Sequence, residues 1–105
     1  QDLRIGTPMF MAPEYIATGN LDHRADLYAL GVALFEMATG TEPFQGPPFK
    51  ILHLHVTQDP PRLREVQPDA DAALEALVSA LLEKEPEDRP QTAAEVEARL
   101  AALIR

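Results

Sequence analysis

The segment at residues 22–38 constrains the fold of this chain more than any other part of the sequence. Four large apolar side chains recur in it at three- and four-residue intervals, at Leu27, Leu30, Leu34 and Met37. This spacing predicts an α-helix. The positions between them are also mostly apolar, so the helix is hydrophobic on nearly every face. Such a helix must be buried on all sides, and the sequence therefore predicts a central helix with packing partners around it.

Three more helices are predicted after the central one. Residues 49–57 can form a short helix between two proline-containing stretches. Residues 69–83 place five apolar side chains on one helix face: Leu74, Leu77, Val78, Leu81 and Leu82. Residues 92–104 begin with Thr92 and Glu95 at the spacing of a capping box, and they carry a second apolar stripe. The two longer helices are amphipathic, so the chain is predicted to be all-α, with about four helices.

The opening of the chain, residues 1–20, contains four residues that interrupt regular structure: Gly6, Pro8, Pro13 and Gly19. It is predicted to be an ordered loop with a short helical turn at residues 12–17. The sequence begins with Gln1 and has no signal-like hydrophobic stretch, so we expect its N-terminus to be a cut in a longer protein.

Composition excludes several classes of partner. A chain of 105 residues can bury one hydrophobic core. Its formal net charge of -8 would repel a polyanion, so nucleic acid is not expected as a partner. The chain has no cysteine, which excludes disulfides and thiolate metal sites and suits a reducing cytosol. Its apolar runs are far shorter than the roughly 18 to 20 residues that a bilayer requires, so no membrane contact is expected from this segment.

Three stretches of sequence carry the strongest information about function. They are GTPMFMAPE at residues 6–14, DLYALGVALFEMATGTEPF at residues 26–44 and EKEPEDRP at residues 83–90. In this order and at this spacing they resemble the protein kinase family, and the resemblance spans essentially the whole chain. It implies the C-terminal half of the large lobe of a bacterial, eukaryotic-like serine/threonine kinase, from the end of the activation segment to the last helix.

The first stretch is similar to the end of a kinase activation segment, which walls the pocket next to the phosphorylated residue. The resemblance therefore implies substrate-positioning roles for Gly6, Thr7, Pro8, Met9, Phe10 and Met11. In the family, the threonine matching Thr7 bonds the catalytic aspartate and lysine. The alternative is a turn threonine that satisfies local backbone groups.

The resemblance also implies structural roles for six residues: Ala12, Pro13, Glu14, Asp26, Gly31 and Arg89. Glu14 and Arg89 are expected to form a buried ion pair that fastens the activation segment to the lobe, because a guanidinium binds a carboxylate bidentately. Two unrelated surface charges are the alternative. Asp26 is expected to accept hydrogen bonds from backbone amides of the catalytic loop, and a plain helix N-cap is its alternative.

The residues that perform phosphoryl transfer are not found in this sequence. A kinase needs a glycine-rich loop, a strand lysine paired with a glutamate, a catalytic Asp and Asn, and a metal-binding Asp-Phe-Gly. We therefore expect no catalytic, cofactor-binding or metal-binding residue in this chain, with ATP and Mg²⁺ held elsewhere in the parent enzyme. His53 and His55 are two apart and would point to opposite sides of a helix, so they are interpreted as surface histidines.

Two functions are compatible with the sequence. In the first, the chain is part of an ATP-dependent serine/threonine kinase, and it supplies the peptide-docking loop and the lobe scaffold but is inactive alone. Its partners are then a protein substrate and the N-terminal part of the kinase domain. In the second, it belongs to a pseudokinase-like protein or is a stand-alone helical interaction module. The expected localisation is cytoplasmic, with any membrane span of the parent outside this segment.

Overall fold

The computed structural model describes residues 10–19 and 22–103 of the chain. This part of the chain is helical and contains no β-strand, so the prediction of an all-α fold is confirmed. Its six α-helices are α1 (Pro13–Thr18), α2 (His23–Thr39), α3 (Pro48–Thr57), α4 (Leu63–Val66), α5 (Ala72–Leu81) and α6 (Ala93–Leu103). A 3₁₀-helix at Pro86–Asp88 precedes α6.

The helix α2, predicted at residues 22–38, lies at the centre of the fold. The Asp22 side chain caps its N-terminus by accepting the Arg24 backbone N–H at 2.8 Å. Gly40, at a φ of 82°, ends it, and its backbone N–H donates to the Glu36 carbonyl. A left-handed φ of this kind suits glycine, which has no Cβ.

Two apolar clusters flank α2. The first joins α2 to Ala12, the residue before α1, and to α4 and α5 through buried side chains that include Tyr28, Val32, Phe35, Leu63 and Val78. The second joins α2 to α5 and α6 through Leu27, Leu77, Leu81 and Val96. Because α2 contributes to both clusters, its apolar character on opposite faces is explained by packing on two sides.

Helices α2 and α5 pack closely against each other at Gly31. A Cβ placed on Gly31 would lie 2.7 Å from the Leu81 Cβ and 3.1 Å from the Leu82 Cδ2. These distances are shorter than carbon–carbon van der Waals contact. Glycine at this position therefore allows the two helices to pack at their observed separation.

The helix α4 was not anticipated from the sequence. It is a single turn that begins after Pro60, Pro61 and the N-cap residue Arg62, and its residue Leu63 is almost fully buried in the first cluster. The sequence offers Asp69 and Asp71 as carboxylates for the N-terminus of α5. Asp71 is the one that caps the helix, since its carboxylate accepts the Ala73 and Leu74 N–H groups at 2.7 and 3.3 Å.

One side of the second cluster stays open. A groove of about 670 Å³ lies between α2, α5 and α6, and its apolar lining includes Leu30, Leu74, Val96, Leu100 and Leu103. Within residues 10–19 and 22–103, no helix has both the length and the hydropathy that crossing a membrane would require.

Candidate functional site

Arg89 is the charged residue around which the N-terminal and C-terminal parts of the chain meet. It directly follows the 3₁₀-helix, and only 3% of its surface is exposed. Its Nη1 and Nη2 donate to the two carboxylate oxygens of Glu14 at 2.8 and 2.7 Å. Three backbone carbonyls accept its remaining N–H groups: those of Arg24, Glu83 and Lys84. All five donors of the guanidinium are thereby satisfied, which is what burial of this cation requires.

Glu14 is held in place by the helix that carries it. Pro13 occupies the first position of α1, where its missing N–H costs no helical hydrogen bond, and Glu14 lies in the first turn. Ala12, just before α1, is 2% exposed and belongs to the first apolar cluster. The sequence Ala12-Pro13-Glu14 thus attaches to the core through one apolar residue and through one bidentate ion pair.

The Arg89 guanidinium also lies over the ring of Tyr28, with its central carbon 5.0 Å from the ring centroid. Tyr28 is on α2 and is fully buried. Burial raises the pKa of its phenol far above the ordinary value, an effect that the nearby Arg89 charge opposes. Tyr28 therefore stays protonated, and its hydroxyl can donate to the His55 Nδ1 at 2.6 Å.

The interpretation of His55 as a surface residue is wrong. His55 is 0% exposed, and its ring meets the rings of Tyr28 and Phe44 edge-on, at centroid distances of 5.4 and 5.1 Å. His53 is exposed, as expected. The signal that could have identified the inward position is helical spacing, since Ile51, Leu54 and His55 stand at i, i+3 and i+4 of α3.

The remaining predicted site residues differ in their burial and in the part of the fold where they lie. Phe10 and Met11 are partly buried, and Phe10 packs against the first apolar cluster. Gly31 is buried at the contact of α2 with α5. Asp26 lies exposed in the first turn of α2, so its expected bonds to backbone amides stay a prediction. The other four predicted substrate-positioning residues lie outside the described residues: Gly6, Thr7, Pro8 and Met9.

The arrangement can hold two parts of the chain together. Among residues 10–19 and 22–103, no three His, Cys, Asp or Glu side chains are grouped closely enough to bind a metal ion. We call these contacts of Arg89, with the Glu14 carboxylate and with the carbonyls of Arg24, Glu83 and Lys84, the clamp, because they join α1 to the segment around the 3₁₀-helix.

Comparison with known proteins identifies the family to which this chain belongs. The family model described as protein kinase domain matches residues 2–99. This match covers nearly all of the chain, and the chain therefore belongs to the protein kinase family. Its all-α architecture corresponds to the C-terminal lobe of a kinase domain.

Three similar bacterial proteins are named serine/threonine-protein kinases. The chain is 41% identical over 101 residues to the serine/threonine-protein kinase pkn3 of Myxococcus xanthus, a match that covers 93% of the chain. It is 42% identical over 102 residues to PknB and 35% identical over 100 residues to PknE, serine/threonine-protein kinases of Mycobacterium tuberculosis, with 94% and 95% of the chain covered. The chain spans only 16 to 18% of the length of these relatives.

Proposed function

We propose that this chain is part of an ATP-dependent kinase that phosphorylates serine and threonine in proteins. In this proposal the chain supplies the peptide-docking loop at residues 6–11 and the scaffold of the large lobe. Phosphoryl transfer itself, with ATP and Mg²⁺, is assigned to parts of the kinase outside this chain. The chain alone is then inactive, and its partners are the protein substrate and the rest of the kinase domain.

The observation that carries the proposal is the bidentate ion pair between Glu14 and Arg89, at 2.7 and 2.8 Å. It fixes the C-terminal end of the 6–14 stretch to the core, immediately after the proposed docking residues. A docking loop must be held in register with the reacting groups, because a displacement of about 1 Å can reduce the rate roughly 100-fold. The clamp gives one end of this loop a rigid attachment.

The choice of serine and threonine as acceptors rests on two further observations. The Thr7-Pro8 pair resembles the serine/threonine branch of the family, and pkn3, PknB and PknE are all named serine/threonine-protein kinases. The role proposed for Thr7 is positional: its hydroxyl bonds the catalytic aspartate and lysine supplied by the rest of the domain.

The experiment uses the full-length gene product, with Mg-ATP and a peptide array that contains Ser, Thr and Tyr acceptors. We expect phosphoserine and phosphothreonine and no phosphotyrosine. The variant Thr7→Ala should lower kcat, while Thr7→Ser, which keeps the hydroxyl, should retain most of it. Phosphotyrosine would contradict the serine/threonine assignment, and absence of any transfer would favour the pseudokinase-like alternative. Equal activity of Thr7→Ala and wild type would contradict the positional role.

A further inference from the structure

A histidine anchors α3 to the rest of the fold. Of the ten residues of α3, all of which the structure describes, His55 alone is buried, with 0% of its surface exposed. The aliphatic residues Ile51 and Leu54 are only partly buried, and Phe49 is 87% exposed. Helices are usually held on a core by a stripe of buried apolar side chains. In α3 a titratable side chain takes that central position.

The hydrogen bond between His55 and Tyr28 depends on the protonation of the histidine ring. The Tyr28 hydroxyl keeps its proton, because burial raises the pKa of this phenol. Among residues 10–19 and 22–103, that hydroxyl has one hydrogen-bond partner, the His55 Nδ1 at 2.6 Å. A ring nitrogen accepts a hydrogen bond only through its lone pair, so the ring must be neutral and carry its proton on Nε2. The observed contact is therefore satisfied by neutral His55.

Protonation of His55 would disrupt this contact in two ways. The Nδ1 would become a donor, so the Tyr28 hydroxyl would lose its acceptor inside the core, where an unpaired polar group is costly. The imidazolium would also carry its charge at a position with 0% exposure, and burial disfavours the charged form of a histidine. Both effects oppose protonation while α3 stays packed.

The charges around this contact do not favour a third cation. The Arg89 central carbon lies 5.0 Å from the Tyr28 ring centroid, and the Lys84 Nζ lies 4.8 Å from the Phe44 centroid. Both rings contact the His55 ring edge-on. One carboxylate offsets each cation, and these are Glu14 for Arg89 and Asp59 for Lys84. An imidazolium at His55 would add a positive charge to this balanced group, which like-charge repulsion disfavours.

We propose that His55 is an acid-sensitive latch for α3: the neutral ring holds the helix on α2 through Tyr28, and protonation at mildly acidic pH releases it. In released α3 the imidazolium reaches water, so the released state binds one more proton than the packed state. Lower pH therefore favours release, and higher pH favours packing. Because α3 packs against α1, release also removes a support of the helix that carries Glu14. The latch is a property of the fold, so its test needs no kinase activity.

Hydrogen exchange of the α3 amides in the folded full-length gene product measures the release, after correction for the intrinsic pH dependence of amide exchange. An exposed histidine titrates near pH 6.5, so binding of one proton by the released state should raise the opening constant of α3 about 10-fold between pH 7.5 and 5.5. His55→Gln, which is neutral at both pH values, should abolish this ratio. His53→Gln should keep it, since His53 is exposed on the same helix.

A measurement on the wild type alone decides the question if His55→Gln does not fold. Exchange of the histidine Cε1 hydrogens with deuterium, followed by mass spectrometry across pH, titrates each ring separately. We expect the His53 profile to have its midpoint near pH 6.5 and the His55 profile to have its midpoint at lower pH. The proposal is overturned if α3 opens equally at pH 7.5 and 5.5, if His55→Gln keeps the 10-fold ratio, or if both histidine rings titrate at the same pH.

Discussion

Replacing Arg89 by alanine is the perturbation whose cost the structure defines best. The Arg89 side chain has 0% exposure and that of Glu14 has 17%, with 2.7 Å between Nη2 and Oε1. The variant leaves the Glu14 carboxylate without its cation, and it leaves the carbonyls of Arg24, Glu83 and Lys84 without their donor. Breaking one side of a buried ion pair typically costs about 3 to 5 kcal/mol. Against a domain stability of about 5 to 15 kcal/mol, that is a large fraction.

A second ion pair in the same chain is the matched control. Arg24 and Asp22 lie 3.3 Å apart with 24% and 51% of their side chains exposed. Because an exposed pair contributes at most about 1 kcal/mol, Arg24→Ala should cost far less than Arg89→Ala. Arg89→Lys should fall between them, since an ammonium keeps the charge but cannot form the bidentate fork.

The assay is urea unfolding of the full-length gene product, with hydrogen exchange of the amides in α1 and at residues 83–90 to localise the effect. Exchange in both segments should accelerate together in Arg89→Ala, because the clamp joins them. If Arg89→Ala and Arg24→Ala lower the free energy of unfolding by the same small amount, the reasoning from burial is refuted.

Three further substitutions have defined outcomes. Gly31→Ala should destabilise the protein by about 1 to 3 kcal/mol, because the new Cβ overlaps Leu81. Met37→Ala is the control in the same urea titration, since Met37 is on α2 but is 80% exposed. Equal effects of the two variants would contradict the packing argument. Tyr28→Phe should cost about 1 to 3 kcal/mol, since it removes the hydroxyl that pairs with buried His55; an unchanged melting temperature would mean that the 2.6 Å bond contributes little. Because the pKa of Lys84 is lowered to about 8, the unfolded chain binds more protons than the folded chain between about pH 8 and 10.5, so the free energy of unfolding should rise with pH over that window. Lys84→Met should remove this rise, and Lys50→Met should keep it. An identical pH dependence in Lys84→Met and wild type would argue against a buried ammonium.

Helical periodicity was enough to predict the architecture. The apolar side chains of α2 and α5 recur at helical spacing, and proline and glycine bound the helices, so local sequence carries both position and type. It could not predict α4, because a single turn has too few residues to show a period. Leu63 is held there by the first apolar cluster, which is a tertiary contact.

The site was less accessible to sequence reasoning. Glu14 and Arg89 are 75 residues apart, so no local pattern links them, and their pairing was expected only from the family resemblance. His53 and His55 are two apart and lie on different sides of α3, which argues against a shared metal site but leaves one of them, His55, free to face the core. Lys84 belongs to an acidic turn, and nothing in that composition signals that its amine is buried beside Phe44.

We infer that this chain is one part of a kinase lobe, and that α2 needs packing partners beyond the helices that contact it here. The open groove beside Leu30, Leu74 and Leu100 leaves apolar surface of α2, α5 and α6 uncovered. The most direct test is the amide ¹H–¹⁵N spectrum of the purified 105-residue chain, recorded with and without Mg-ATP. We predict broad, poorly dispersed resonances in a helical chain, with no change when Mg-ATP is added. A monomer with sharp, dispersed resonances, or saturable shifts at micromolar Mg-ATP, would contradict the claim.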